Sequence, residues 1–244
     1  MKEEPHLLDL LAIAPHPDDA ELTCGGTLLK AAEQGYKTGI LDLTAGDMGT
    51  RGTPETRLKE AAKAARILRL SHRENLRLPD ARLAVTEDYK LAVARRIRAL
   101  KPHTVILPYW EGRHPDHYTT SRLCYEACFL AGLKQLPIEG EPFRPFKILY
   151  ATAYHRVLRP TFVVDITPYF QRKFRSIVAY HSQFHPKAEE KKWSVEIRLD
   201  RLQKNMKMIG EYYGHLAGVQ YAEGFFVKEV MEVDDVVNLP VRSI

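Results

Sequence analysis

Two short segments concentrate side chains that could do chemistry. The first is "HPDD" (16–19), which follows the apolar run "LLDLLAIA" (7–14), and the second is "RHPDH" (113–117), which follows "HTVILPY" (103–109). A charge that is desolvated without a partner is costly, so acidic clusters that leave buried strands must be solvated, paired or bound to a metal. Both segments therefore need an explanation.

Either segment taken alone has an ordinary explanation. "HPDD" could cap a helix predicted to begin at residue 22, because aspartate is favoured at helix N-termini. The histidines of "RHPDH" could be surface side chains, and motif matches carry a real risk of false positives. The case for chemistry therefore depends on whether the fold brings the two segments together.

The elements around these segments alternate between strands and helices. Strands are predicted at 7–14, 37–44, 74–79 and 103–109, and helices at 22–35, 55–70, 87–100 and 119–133. This alternation predicts an α/β, Rossmann-like fold with a mainly parallel sheet and helices on both faces.

The second half of the chain is less regular. Strands are predicted at 146–154, 161–167 and 221–230, and helices at 168–181 and 187–213. No repeat, low-complexity tract or linker separates the halves, so we expect a single domain over 1–244 with a C-terminal elaboration.

The fold prediction places the two segments at one edge of the sheet, because the carboxyl ends of parallel strands lie together. The side chains that could converge there are His16, Asp18, Asp19, His114, Asp116 and His117. Three of them could hold a divalent zinc ion and leave a position for water. The others would then be free for proton transfer and charge stabilisation. The pattern favours a metal site, although iron or cobalt could also occupy a His/His/Asp set.

Composition narrows the class of protein. With 244 residues, 45% of them hydrophobic, the chain can bury a substantial core. Its longest apolar runs are too short to cross a bilayer, and the acidic start "MKEEPHLLDLL" does not resemble a signal peptide. We therefore expect no membrane association and a cytoplasmic location.

Charge and cysteine content narrow the class of protein further. The net charge is +5, and the basic residues are spread over helices such as 57–70 rather than gathered in one block, which argues against nucleic-acid binding. Cys24, Cys124 and Cys128 make an odd count without a disulfide framework. Buried, reduced thiols suit a reducing compartment.

"PHPDDAE" (15–21) followed by "RHPDH" resembles the PIG-L/LmbE-like zinc-dependent N-acetylglucosaminide deacetylases. The resemblance continues through "LTAGDMGTRGTPETRLKEA" (43–61), "NLRLPD" (75–80), "YHSQF" (180–184) and "YAEGF" (221–225). These segments are similar to the bacillithiol-biosynthesis branch, which deacetylates N-acetylglucosaminyl-malate. The resemblance implies a hydrolase with one Zn²⁺ per chain, a small-molecule amino-sugar substrate and a homo-oligomer such as a hexamer.

Matched by position, the resemblance implies His16, Asp19 and His117 as zinc ligands, Asp18 as general base and His114, with Asp116 beside it, as the partner imidazole. Zinc lowers the pKa of its water to about 7, and an unligated carboxylate such as Asp18 could take the proton. A protonated His114, oriented by Asp116, could stabilise the oxyanion formed from the acetamide.

Malate would bring two carboxylates to the site, so its recognition calls for a nearby cation. Arg57 matches the family's arginine in "GTPETR", and a guanidinium can grip a carboxylate with two parallel hydrogen bonds. Arg51 in the same loop is the substitute candidate. The alternative is that Arg57 only begins an amphipathic helix and pairs with Glu60.

Other functions stay open at this point. The same chemistry could act on an inositol glycoside or a chitin-type fragment. A nucleotide-binding module on the same sheet is disfavoured, because "CGGTL" (24–28) does not match the G-x-G-x-x-G spacing after the first strand. A purely structural zinc is a third possibility.

Overall fold

The computed structural model of the protein describes residues 7–152, 158–184, 199–239 and 241. The strands are β1 (Leu8–Ala14), β2 (Thr38–Thr44), β3 (His72–Leu78), β4 (Pro102–Pro108), β5 (Lys147–Ala151), β6 (Phe162–Asp165) and β7 (Ala222–Phe226). The helices are α1 (Asp19–Glu33), α2 (Pro54–Ile67), α3 (Glu87–Leu100), α4 (Pro115–Ala131), α5 (Phe170–Val178), α6 (His181–Phe184) and α7 (Leu199–Ala217), with a 3₁₀ turn at Thr167–Tyr169.

The strands form one seven-stranded sheet in the order β3-β2-β1-β4-β5-β7-β6. Neighbours from β3 to β5 are parallel, whereas β7 is antiparallel to both β5 and β6. This confirms the predicted α/β fold with a mainly parallel, Rossmann-like sheet. The strand order reverses between β1 and β4, and the crevice at such a switch point is where open α/β sheets bind ligands.

Alternating side chains of the central strands form two cores, one on each face of the sheet. Leu11 and Ile13 of β1 pack into a core shared with α3 and α4. Ala12 and Ala14 face the other way, into a core that includes Leu28 and Leu29 of α1. Because successive strand residues point to opposite faces, helices cover both sides, as predicted.

Two helices begin earlier than the sequence pattern predicted. α1 begins at Asp19 instead of 22, and α4 begins at Pro115 instead of 119. Proline at the first helical position of α4 and the His114 side chain, which accepts a hydrogen bond from the Asp116 N–H, explain the second start. Residues of both "HPDD" and "RHPDH" therefore lie in the first turn of a helix, α1 or α4.

The helix predicted at 168–181 is in fact a 3₁₀ turn followed by α5 and the separate short helix α6. The chain turns at Tyr180, whose fully buried hydroxyl donates to Glu21 of α1. The helix predicted at 187–213 corresponds to α7, and residues 187–198 lie outside the described part.

Two further expectations concern the cysteines and membrane-spanning helices. Cys24, Cys124 and Cys128 are buried free thiols, as predicted. Within the described residues, none of the helices combines the length and apolar character needed to cross a bilayer.

Candidate active site

The loop after β1 is tied to the neighbouring strand before it reaches the chemical residues. The carbonyl of Pro15 accepts hydrogen bonds from both the N–H and the hydroxyl of Thr44 at the end of β2, each at 2.9 Å. Asp18 then adopts φ 105° and ψ −26°, in the left-handed region that residues with a Cβ rarely occupy. α1 begins at the next residue, Asp19.

Asp18 occupies the N-cap position of α1, but its side chain makes no capping hydrogen bond. The interpretation of "HPDD" as an ordinary capping cluster therefore does not account for this carboxyl group. Its side chain keeps 15% of its surface exposed.

His16, Asp19 and His117 come together although they lie on two different loops. The carboxylate Oδ2 of Asp19 is 2.9 Å from Nδ1 of His16 and 3.3 Å from Nε2 of His117. One candidate ligand atom from each residue lies within 4.8 Å of the others. Two imidazoles and a carboxylate are donors that suit zinc and other divalent transition ions. The geometry therefore forms a possible metal site.

Two further carboxylates approach the other side of the His16 ring. Its Nε2 lies 3.0 Å from Oδ1 of Asp80 and 3.2 Å from Oδ2 of Asp116. A carboxylate on the second nitrogen of a metal-binding histidine fixes the ring and raises its basicity. Asp116 also accepts a hydrogen bond from the Ala81 N–H at 2.9 Å, which links the β3 and β4 loops.

Asp80 had no role in the sequence-based prediction, although it lies in the quoted segment "NLRLPD". The available signal was its place just after β3, at the same sheet edge as the other loops. A single aspartate after a half-buried strand is weak evidence, and only the fold shows that it faces His16.

The electrostatics of this cluster favour a cation. Burial alone would lower the pKa of His16, but hydrogen bonds to Asp116, Asp19 and Asp80 raise it to about 12. Burial would raise the pKa of Asp19, yet His117 and His16 hold it well below its usual range. The carboxylates thus stabilise positive charge at the centre of the cluster.

The pKa of Asp18 shifts in the direction opposite to that of Asp19. Burial raises the pKa of its carboxyl to about 7, even though Arg57 opposes the shift. A pKa near the working pH suits a group that exchanges a proton with water.

His114 lies at the exposed end of the cluster, with its ring centroid 5.0 Å from those of His16 and His117. Burial and the two neighbouring histidines lower its pKa. Its Nδ1 accepts the Asp116 N–H at 3.3 Å, so a neutral ring carries its proton on Nε2 and can donate from there. The Asp116 carboxylate contacts His16 and Ala81, so the orienting contact on His114 comes from the Asp116 main chain.

Arg57 is buried, and its guanidinium lies beside Asp18. Its Nη2 donates to the Pro17 carbonyl at 2.6 Å and lies 3.4 Å from Oδ2 of Asp18. Glu60, the alternative partner considered from the sequence, accepts hydrogen bonds from the N–H and hydroxyl of Ser182, each at 2.7 Å.

Arg51 is also buried and fastens its loop to α6. Its Nη1 donates to the carbonyl of Gln183 at 2.8 Å, and the Gln183 amide donates back to the Arg51 carbonyl at 2.7 Å. Two residues of the "YHSQF" segment, Ser182 and Gln183, therefore hold α2 and the loop before it.

An α/β sheet with a possible metal site at its switch point, next to a further carboxyl group and an exposed imidazole, is the arrangement expected of a metal-assisted hydrolase. Comparisons with known proteins agree. Residues 11–128 match the family model described as PIG-L, GlcNAc-PI de-N-acetylase. Diacetylchitobiose deacetylase of Thermococcus kodakarensis is 31% identical over 230 residues, which cover 88% of this chain and 81% of that protein. The chain belongs to the PIG-L family and is an N-deacetylase of N-acetylglucosamine-type conjugates.

One further relative and one solved structure are also similar to this chain. A probable N-acetyl-alpha-D-glucosaminyl L-malate deacetylase 2 of Bacillus anthracis is 26% identical over 211 residues, covering 80% of this chain and 89% of that protein. The crystal structure of a conserved protein from Thermus thermophilus matches with a TM-score of 0.83 and 42% identity, covering 93% of this chain and 98% of that one.

Proposed function

We propose that the enzyme uses one zinc ion, held by His16, Asp19 and His117, to deacetylate N-acetylglucosaminyl-malate. The observation that carries the proposal is the close approach of these three side chains. Asp18 precedes Asp19 in the chain, is not part of this set and makes no capping hydrogen bond. The chemistry would take place in the cytoplasm and would supply the free amine for bacillithiol biosynthesis.

A bound zinc ion would supply Lewis acidity, lowering the pKa of a water to about 7 and polarising the acetamide carbonyl. Asp18 accepts the proton of the attacking water, for which its raised pKa is suited. The Nε2–H of His114 donates to the oxygen that becomes negatively charged, because the Asp116 N–H occupies its Nδ1.

The malate aglycone is supported by the similarity to the Bacillus anthracis relative over 80% of the chain. Recognition of its carboxylates would require cations at the rim of the site. Arg51 and Arg57, the arginines that the sequence suggested for this role, are both buried and donate to main-chain carbonyls of the protein. Arg113, beside His114, and Arg82, beside Ala81, are exposed and are the cations that we propose for binding the malate carboxylates.

The decisive experiment measures acetate release together with metal content. The substrates are N-acetylglucosaminyl-malate, diacetylchitobiose, an N-acetylglucosaminyl inositol and free N-acetylglucosamine. We expect the largest kcat/KM for the malate conjugate and about one zinc per chain in the active protein. Equal turnover of all four substrates would remove the malate assignment and leave the N-deacetylase activity.

A second candidate substrate is diacetylchitobiose, favoured by the 31% identity to the Thermococcus kodakarensis enzyme. A higher kcat/KM for the disaccharide than for the malate conjugate would select it. A purely structural zinc would instead predict that chelation abolishes activity only to the extent that it unfolds the protein, which circular dichroism on the same samples would reveal.

One rival from outside this chemistry and the oligomeric state each have a direct test. Tight binding of a nucleotide to the metal-free protein in calorimetry would revive the nucleotide-binding module. The homo-oligomer implied by the family resemblance stays a prediction, and light scattering after size exclusion would measure whether it is a hexamer.

A further inference from the structure

The direction of the Asp18 side chain is not set by the helix that this residue begins. Aspartate at a helix N-cap normally turns back to accept a hydrogen bond from the second or third N–H of the helix. Here the N-cap residue makes no such bond and has a positive φ of 105°. Something other than the helix must therefore set the direction of this side chain.

Arg57 is the side chain in position to do so. Its Nη2 bridges the Pro17 carbonyl at 2.6 Å and Oδ2 of Asp18 at 3.4 Å, while Nη1 lies 3.4 Å from the Gly46 carbonyl. One guanidinium thus joins the loop after β1 to the loop after β2. Only 5% of Arg57 is exposed, so it approaches Asp18 from inside the protein.

The loop after β2 is shaped to admit this guanidinium. A Cβ at Gly46 would lie 1.9 Å from Nη1 of Arg57, and Gly46 has a positive φ of 69°. Only glycine therefore leaves the space that the guanidinium occupies. A helix-starting arginine with no further role would not require such an opening.

We propose that Arg57 is a positioning residue for the deacetylation, holding the Asp18 carboxyl group toward the metal ligands and away from the N-terminus of α1. This inference rests on the proposed role of Asp18 as the base. It differs from the specificity role that the sequence suggested, because a buried guanidinium aimed at Asp18 acts on every substrate alike.

The test compares Arg57→Ala, Arg57→Lys and Asp18→Asn, with Arg66→Ala as a control from the exposed side of the same helix. For Arg57→Ala we expect kcat to fall roughly tenfold to a hundredfold on both the malate conjugate and free N-acetylglucosamine, with KM and zinc content unchanged. Millimolar guanidinium should restore part of the lost kcat. Arg57→Lys serves if the alanine variant does not fold, and the same criteria apply to it.

A double-mutant cycle separates positioning from general damage. If Arg57 acts through Asp18, adding Arg57→Ala to Asp18→Asn should cause no further loss of kcat. A crystal structure of metal-free Arg57→Ala should show the Asp18 carboxylate turned toward the first N–H groups of α1.

Several outcomes would overturn the proposal. A loss confined to the malate conjugate would return Arg57 to substrate specificity. Additive losses in the double variant, or full kcat in Arg57→Ala, would exclude positioning through Asp18. Full activity of Asp18→Asn would instead refute the proposed base, which is a different failure from that of Arg57.

Discussion

Two clusters of buried charged residues flank the first turn of α1. They differ in how their negative charges are balanced by cations. In the histidine–carboxylate cluster (His16, Asp19, Asp80, Asp116 and His117), three carboxylates contact one imidazole, His16. In the arginine network (Arg73, Glu21, Asp42 and Tyr180), a permanently charged guanidinium meets two carboxylates.

Most of the polar groups in the arginine network form hydrogen bonds with one another. Arg73 binds both oxygens of Asp42, at 3.0 and 3.1 Å, and also donates to Glu21, which accepts the Tyr180 hydroxyl at 2.8 Å. Bidentate pairs of this kind need no outside ion. The histidine–carboxylate cluster has only imidazoles as cations, and these are charged only when protonated. On the proposed function, the arginine network stabilises the fold, whereas the histidine–carboxylate cluster would have its charge balanced by a metal ion.

The strongest test of this contrast removes a proposed ligand. His16→Ala and Asp19→Ala should each lose the metal and with it essentially all deacetylation, because two remaining ligands cannot hold zinc tightly. Elemental analysis and acetate release on the same preparation measure both effects. A variant that keeps stoichiometric metal would show that the ligand set is different.

Asp18→Asn should keep the metal and lose turnover by roughly a hundredfold to ten-thousandfold, the range typical of a missing general base. Asparagine also tolerates the positive φ at this position better than most residues. If the purified variant contains no metal, the roles of Asp18 and Asp19 are exchanged.

His114→Ala should retain metal and lower kcat by roughly a hundredfold to a thousandfold, as expected for removal of one donor to the oxyanion. The measurement is steady-state kinetics on metal-saturated protein. An unchanged kcat would mean that another donor faces the developing charge.

Asp116→Asn and Asp80→Asn should weaken metal binding by roughly tenfold to a hundredfold, because each removes a carboxylate from the far side of His16. With metal in excess, most of the activity should return. Competition with a chelator gives the two dissociation constants, and a larger kcat loss in Asp116→Asn than in His114→Ala would assign Asp116 a direct part in the reaction.

The arginine network should show the smallest effect on catalysis. Arg73→Met leaves two buried carboxylates without their cation and should lower the free energy of unfolding by about 3–5 kcal/mol. Metal content and kcat per folded molecule should change little. The control is Arg122→Met, an exposed arginine paired with Glu126, which should cost about 0–1 kcal/mol. A large kcat loss in folded Arg73→Met would place the network within the catalytic machinery.

The sequence was informative where local pattern and topology agree. The alternation of the first half predicted a parallel sheet, and the parallel sheet implied that the loops carrying His16 and His117 would meet. Hydrophobic periodicity located the strands and helices of this half to within a few residues. The general architecture needed no further information.

What the pattern missed depends on contacts between distant segments. Asp80 is one carboxylate after a half-buried strand, and its role follows only from its distance to His16. The inward direction of Arg57 depends on the space at Gly46, which periodicity does not encode. The break between α5 and α6 includes Tyr180, whose hydroxyl donates to Glu21, 159 positions away along the chain.

The insertion of β7 between β5 and β6 has a consequence for how the chain matures during synthesis. The proposed zinc ligands are complete once residue 117 has been made, but β6 pairs with the sheet through β7. Glu223 on β7 also accepts the N–H groups of Gly26 and Thr27 and pairs with Lys173. Until residue 226 leaves the ribosome, β5 presents an open edge on that side, which can pair with other chains. Nascent chains that stall before this point should therefore be able to capture metal while still aggregating or recruiting chaperones.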